Sequence, residues 1–365
     1  MICRWPIWVG TLFVPYNFPA ISPPPQNYYL SLPKENITQH HIVSRHEMKN
    51  ILIIGSTGQI GTELAMYLRG IYKEGQVVAG YIKAQPPKQE LLESGPCEEV
   101  DITNAQQIAD VVKKYNIDTI YNLAALLSAV AENKPQLAWK IGLGGLFNTL
   151  EVAREMNCAV FTPSSIGAFG PGTPKDKTPQ DTVQRPTTMY GVTKVSGELL
   201  GDYYHRRFGV DTRSVRFPGL ISNVALPGGG TTDYAVDIYY KAVQEGKFVC
   251  PIAEGTYMDM MYMPDALHAM VQLMEADPTK LVHRNSFNIA SMSFQPGDIY
   301  AAIKRQMPSF EMVYDVDPLR QAIAESWPNS LDDTCAREEW GWAPKYDLDS
   351  MTTDMLRVLT ERYKK

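Results

Sequence analysis

Tyr190 and Lys194 stand four residues apart in Met189-Tyr190-Gly191-Val192-Thr193-Lys194. On a helix that spacing puts both side chains on one face, about one turn apart. The pair suits removal of a proton from an alcohol. A free tyrosine ionises near pH ~10, too high for a base at neutral pH. An ammonium group beside it favours the phenolate and brings that value down. Upstream lies Pro163-Ser164-Ser165-Ile166-Gly167-Ala168-Phe169-Gly170, directly after the apolar run Ala159 to Thr162. A serine hydroxyl at a strand end can hydrogen-bond an alcohol or the oxygen it becomes. Serines there are otherwise ordinary turn residues, and it is the downstream Tyr and Lys that favour the chemical reading.

A third group of residues concerns phosphate. Gly55-Ser56-Thr57-Gly58-Gln59-Ile60-Gly61 lies between the apolar run Asn50 to Ile54 and a helical pattern through Leu64, Ala65 and Leu68. Strand, G-x-x-G-x-x-G and helix in that order form a dinucleotide-binding signature. The glycines let the backbone turn tightly and approach a pyrophosphate, which rests on the helix N-terminus near Gln59 and Ile60. Near the end of the second strand, Gln76 to Ile82, stands Tyr81, with Lys83 close behind. NAD-binding units commonly carry an acid there for the adenosine ribose, so these residues alone leave NAD and NADP both open. A third strand, Glu98 to Ile102, brings Asp101 to receive an adenine amino group or to cap the following helix. The fourth, Asp118 to Leu123, ends in Leu123-Ala124-Ala125, small enough for a cofactor to lie against. A nicotinamide cation in the pocket would lower the Tyr190 pKa further.

The elements that must position these groups alternate. A helical stretch over 134–156, the strand to Thr162, the helix Met189 to Arg207 and the strand Asp211 to Phe217 complete a βαβα pattern. That pattern predicts an α/β fold, a doubly wound parallel sheet of the Rossmann type. It assigns residues 48–220 to dinucleotide binding. Residues 221–365 form a smaller mixed α/β substrate lobe, with segments able to return to the first domain. Short strands are expected at Ser286 to Ile289 and Glu311 to Tyr314. Helices are expected at Asp265 to Met274, Gly297 to Gln306, Pro318 to Glu325 and Leu348 to Arg362. Pro227-Gly228-Gly229-Gly230-Thr231-Thr232-Asp233-Tyr234 reads as a loop entering a helix, either a clamp for an anion or a linker capped by Thr232. Residues 1–47 hold seven prolines and no periodic pattern. They read as a disordered extension, with Met48 a natural start for the first strand.

Composition limits the partners. The 365 residues carry a net charge of -6, and no Lys/Arg cluster could track phosphates, which argues against nucleic acid. No apolar run approaches the ~18 residues of a spanning helix. Five scattered cysteines without C-x-x-C or Cys/His ligand spacing read as reduced intracellular thiols, with no metal site expected. A cytoplasmic location follows, or the mitochondrial matrix if residues 1–47 are a presequence.

Taken together, Gly55, Gly58, Gly61, Ser165, Tyr190 and Lys194 resemble the extended short-chain dehydrogenase/reductase superfamily. More narrowly, residues 50 onward resemble the short-chain-type L-threonine 3-dehydrogenases. That likeness rests on the 163–170 string, Ala125-Leu126-Leu127-Ser128-Ala129, Gln184-Arg185-Pro186, the Gly-rich Thr231-Thr232 loop, and Ile323-Ala324-Glu325-Ser326-Trp327-Pro328. The resemblance implies oxidation of L-threonine at C3 to 2-amino-3-oxobutanoate with NAD as acceptor. It gives catalytic roles to Ser165, Tyr190 and Lys194, and adds Ile102 and Phe217 to the cofactor contacts. It implies that Ser128, Ser164, Thr232 and Trp327 join Ser165 and Tyr190 around the substrate. It implies a homodimer through the 134–156 and 189–207 helices, and a partner 2-amino-3-oxobutanoate CoA ligase. Two departures stand out: Tyr81 replaces an acid, and Gly142 occupies the place of an asparagine. A nucleotide-sugar epimerase/dehydratase and a non-catalytic cofactor-sensing regulator are the alternative readings.

Overall fold

The computed structural model describes residues 48–224 and 230–364. The expectations for residues 1–47 and for Pro227-Gly228-Gly229 lie outside them.

Eight strands form one parallel sheet: β1 (Asn50–Ile54), β2 (Gln76–Tyr81), β3 (Cys97–Glu99), β4 (Thr119–Asn122), β5 (Ala159–Phe161), β6 (Ser164–Ser165), β7 (Thr212–Phe217) and, far along the chain, Asn285–Asn288. From the Asn285–Asn288 edge the order runs β7, β5, β4, β1, β2, β3, with β6 pairing only β7. Both faces are covered, as a parallel sheet requires. In β1, Ile51 and Ile53 pack with Leu64 and Leu68 of the helix Gln59–Ile71. Leu52 and Ile54 point the other way, onto Ile108, Val112, Leu146 and Leu150. The alternation of side chains along a strand makes one apolar run serve two cores.

The structure corrects several expectations. The helical stretch over 134–156 is broken into Pro135–Trp139, a π-helical turn Lys140–Gly144, and Gly145–Met156. Gly142, Gly144 and Gly145 weaken the helix there. Gly145 is also needed for contact, since a Cβ on it would sit 2.8 Å from Ile102. The third strand stops at Glu99 rather than Ile102. Asp101 turns the chain by accepting from Thr103 N at 2.9 Å and Thr103 Oγ1 at 2.8 Å, and Asn104, not Asp101, caps the helix Ala105–Tyr115. Ser164 and Ser165, expected at the end of the strand to Thr162, form a short strand of their own.

The C-terminal lobe contains β8 (Gly219–Ile221), β9 (Lys247–Cys250), β10 (Met258–Tyr262), β12 (Met292–Phe294) and β13 (Glu311–Tyr314); β11 is the Asn285–Asn288 strand already described. β8, β10 and β12 form one small sheet, and β9 and β13 another. Its core gathers Tyr234, Tyr239, Met260, Phe294, Ile299, Trp327 and Met355. The chain does return to the main sheet: β11 pairs with β7, and the helix Met263–Glu275 supplies Met270 and Leu273 to the core beneath β1. Among the described residues no helix is long and apolar enough to cross a membrane, and Cys97, Cys158, Cys250 and Cys335 are free thiols.

Glu63, on the first helix, accepts a hydrogen bond from Ser222 Oγ beyond β8. Burial pushes its carboxyl up from 4.5 to about 7, against the opposing pull of Ser222 and Arg362. The folded chain therefore holds a proton that the unfolded chain releases between about pH 4.5 and 7, so this group's contribution to stability is full below that window and is lost as pH rises through it. Thermal melts from pH 5 to 8 should show Glu63→Gln lowering Tm least, or raising it, at the alkaline end. A constant Tm difference across the range would contradict this.

Candidate active site

The helix Met189–Phe208 begins where Thr188 caps it, its hydroxyl accepting from Gly191 N at 3.1 Å. It ends at Gly209, whose φ of 72° suits glycine. Its first turn is tied down from the side, with Met189 N donating to Glu132 Oε1 at 2.5 Å. Two glycines let this turn press on the segment after β6. A Cβ on Gly191 would lie 2.2 Å from Gly167 O, and a Cβ on Gly167 would lie 3.0 Å from the Tyr190 ring.

This contact assembles the expected set. Lys194 Nζ donates to Pro163 O at 2.6 Å and lies 5.3 Å from the Tyr190 ring centroid. Ser165 Oγ accepts from Gly167 N at 3.1 Å, which leaves its own proton available to a ligand. All three groups line a cleft outside the carboxyl ends of the strands, where open α/β sheets bind ligands.

Of the residues singled out by sequence, Gln59, Ile60, Leu123, Ala125, Ser128, Ser164, Ser165, Tyr190, Lys194, Phe217, Thr232 and Trp327 line that cleft. Ser164 spends its hydroxyl proton on Glu198 Oε1. Ala124 lines a pocket adjoining the cleft at Lys194 and Ser164, together with Gly142 and Thr193. Tyr81 ends β2 and is half-buried, and Asp101 is exposed. Ile102 is a core residue packed with Leu146. His205 and His283 do not line the cleft; each engages a neighbour, Val210 O and Glu339 respectively.

The glycine-rich turn fits a dinucleotide. Gly55 has a φ of 86°, and a Cβ on it would meet Ala124 N at 3.0 Å. A Cβ on Gly61 would meet Gly55 O at 2.3 Å, so the helix can approach the strand only there. At Gly58 the nearest atom is 3.5 Å away, and the backbone stays open to a ligand. The first-turn amides have no carbonyl ahead of them. Beside them the buried Gln59 Nε2 has no protein partner.

Thr231 belongs to the loop read as an anion clamp, but sequence reasoning singled out only Thr232 of the pair. Thr231 lines the cleft, is 2% exposed, and its Oγ1 has no partner. The Thr-Thr pair was the available signal. Thr232 lines the same cleft and packs toward Gly219, where a Cβ would meet it at 2.8 Å.

Residues 51–290 match the profile of the NAD dependent epimerase/dehydratase family. The chain belongs to that family. It is 55% identical over 317 residues to an uncharacterized epimerase/dehydratase of Staphylococcus saprophyticus, covering 87% of this chain and 99% of that protein. The crystal structure of an L-threonine dehydrogenase from Clostridium difficile superposes with a TM-score of 0.83 at 57% identity, covering 87% of this chain and 99% of that one. The holo form of an L-threonine dehydrogenase from Cupriavidus necator gives 0.82 at 47%, covering 85% and 99%. Members of this family are NAD-dependent, in keeping with the fit of the glycine turn.

Gly167→Ala tests the close contact. The added Cβ would push the Tyr190 ring by a few tenths of an ångström. Turnover should fall by about tenfold to a hundredfold, while NAD affinity measured by fluorescence stays near that of the unaltered protein. Full turnover would show that the ring position is not critical.

Proposed function

We propose that the protein oxidises L-threonine at C3 to 2-amino-3-oxobutanoate, with NAD as acceptor. The observation that carries this reading is the convergence of Ser165, Tyr190 and Lys194 at one strand end. Identity of 57% to an L-threonine dehydrogenase, over nearly that protein's whole length, supports the choice of substrate.

The residues divide the work. Ser165, its oxygen already accepting from Gly167 N, donates toward the substrate oxygen and stays bonded to it as the carbonyl forms. Tyr190 takes the hydroxyl proton as general base. Lys194, steadied by Pro163 O, keeps positive charge beside the phenol and holds the nicotinamide ribose. Gly55, Gly58, Gly61, Gln59 and Ile60 hold the pyrophosphate, with Leu123, Ala124, Ala125 and Phe217 against the rest of the cofactor. Tyr81, Asp101 and Ile102 take the adenosine end in this reading. Bound NAD supplies the hydride acceptor. Ser128, Thr232 and Trp327 surround the amino-acid portion, while Ser164, expected with them, has its hydroxyl proton engaged by Glu198.

The test is NADH formation by the purified protein with L-threonine, with UDP-galactose as control. L-threonine should give NADH; no NADH from L-threonine together with conversion of UDP-galactose to its epimer would overturn the reading. Tyr190→Phe should lose about a hundredfold to ten-thousandfold in kcat with NAD binding kept.

The proposed homodimer has an apolar face to use. Trp139, Phe147, Leu199 and Tyr203 are 45%, 49%, 64% and 54% exposed on adjoining helices. Faces of this kind are uncommon on monomers. Light scattering should give a dimer mass for the unaltered chain and a monomer mass for Phe147→Glu/Leu199→Glu. A monomer in both would refute the assembly.

A further inference from the structure

Glu198 lies four residues beyond Lys194 and eight beyond Tyr190, so the helix presents all three on one face. Each touches the same short stretch of chain. The Tyr190 ring faces Gly167, Lys194 holds Pro163 O, and Glu198 accepts from the Ser164 hydroxyl. Yet Glu198 does not line the substrate cleft. It is 6% exposed, and a carboxylate so deeply buried persists only with full pairing.

That pairing is complete. Arg216 of β7 donates through Nε to Oε1 at 3.1 Å and through Nη2 to Oε2 at 2.9 Å. Gln184 Nε2 donates to Oε2 at 2.9 Å, and Ser164 supplies the fourth bond. Arg216 is itself anchored, through Nη1, to Gln180 O at 2.8 Å and Asn288 Oδ1 at 3.0 Å. Its guanidinium sits 5.0 Å from the Phe169 ring centroid. The carboxylate is thus fixed from several segments, and it fixes Ser164 in turn.

Ser164 is covalently flanked by the two atoms that matter to the chemistry. Pro163 on one side carries the carbonyl that steadies Lys194; Ser165 on the other carries the hydroxyl that meets the substrate. We propose that Glu198 is a positioning residue, acting through Ser164 to set the register between the Tyr190–Lys194 helix face and the strand end bearing Ser165. This rests on the dehydrogenase reading above and deepens it. Ser164 then serves the reaction from behind and is not itself a substrate ligand.

The test compares Ser164→Ala, Glu198→Gln and the double variant, each measured for kcat, KM, the pH profile of kcat, and Tm. Ser164→Ala leaves the Glu198–Arg216 pair intact, so the fold is kept. Its kcat should fall about tenfold or more, KM for L-threonine should stay within about twofold, and the alkaline-active limb of the pH profile should move to higher pH as Lys194 loosens from Tyr190. Because the two residues act through one bond, the double variant should show a smaller kcat loss than the two single losses multiplied. A raised KM with unchanged kcat would make Ser164 a substrate ligand and overturn the proposal. So would a normal kcat and pH profile with only a lowered Tm, which would leave the network purely structural. Tyr190→Phe separates the two readings. If it keeps turnover, the dehydrogenase mechanism itself fails; if it is inactive while Ser164→Ala behaves normally, only the positioning role fails.

Discussion

A helix can meet the end of a strand this closely only where neither carries a Cβ at the point of contact. Gly167 and Gly191 satisfy that condition: a methyl group on Gly191 would overlap Gly167 O at 2.2 Å. The rest of the site depends on this approach. It brings Lys194 Nζ within 2.6 Å of Pro163 O and lays the Tyr190 ring beside the turn that holds Ser165. With a wider gap the same three residues would remain on the same elements without sharing a cleft.

The dinucleotide half of the cleft obeys the same rule. Gly61 lets the first helix close on Gly55, and Gly55 takes a left-handed φ beneath Ala124. Both constellations therefore stand at the carboxyl ends of strands, one on β1 and one on β5 and β6, where the parallel sheet leaves a crevice. The sheet itself is fixed by apolar runs that feed two cores at once, so the strand ends are held rigidly on both faces. A charge buried behind this frame, Glu198 against Arg216, is tolerated because every oxygen of the carboxylate is occupied.

Much of this was legible in the residues. β1 matches its apolar run at both ends, and the Tyr190 helix differs from expectation by a single residue at its C-terminus. Local periodicity and capping decide such elements. What escaped depends on partners distant in sequence. β11 joins the main sheet because β7 offers an open edge, which nothing within residues 285–288 reveals. The 134–156 helix breaks because the chain must pass Ile102 and Thr193 closely, at Gly145 and Gly142. Thr231 and Thr232 both line the cleft, and only the fold shows that the Thr231 hydroxyl is the buried one without a partner. The Ser164-Ser165 pair shows the same limit: sequence places both at a strand end, but the direction of the Ser164 proton is set by Glu198, thirty-four residues away.

The central claim is that the C3 carbinol of L-threonine loses its proton to Tyr190 and its hydride to the cofactor in this cleft. The most direct measurement uses L-threonine deuterated at C3, with NAD and the purified protein, and follows the label by NMR or mass spectrometry. The account predicts that deuterium appears at C4 of the reduced nicotinamide, and that Tyr190→Phe abolishes the transfer. Reduced cofactor without deuterium, or undiminished transfer in the variant, would contradict it.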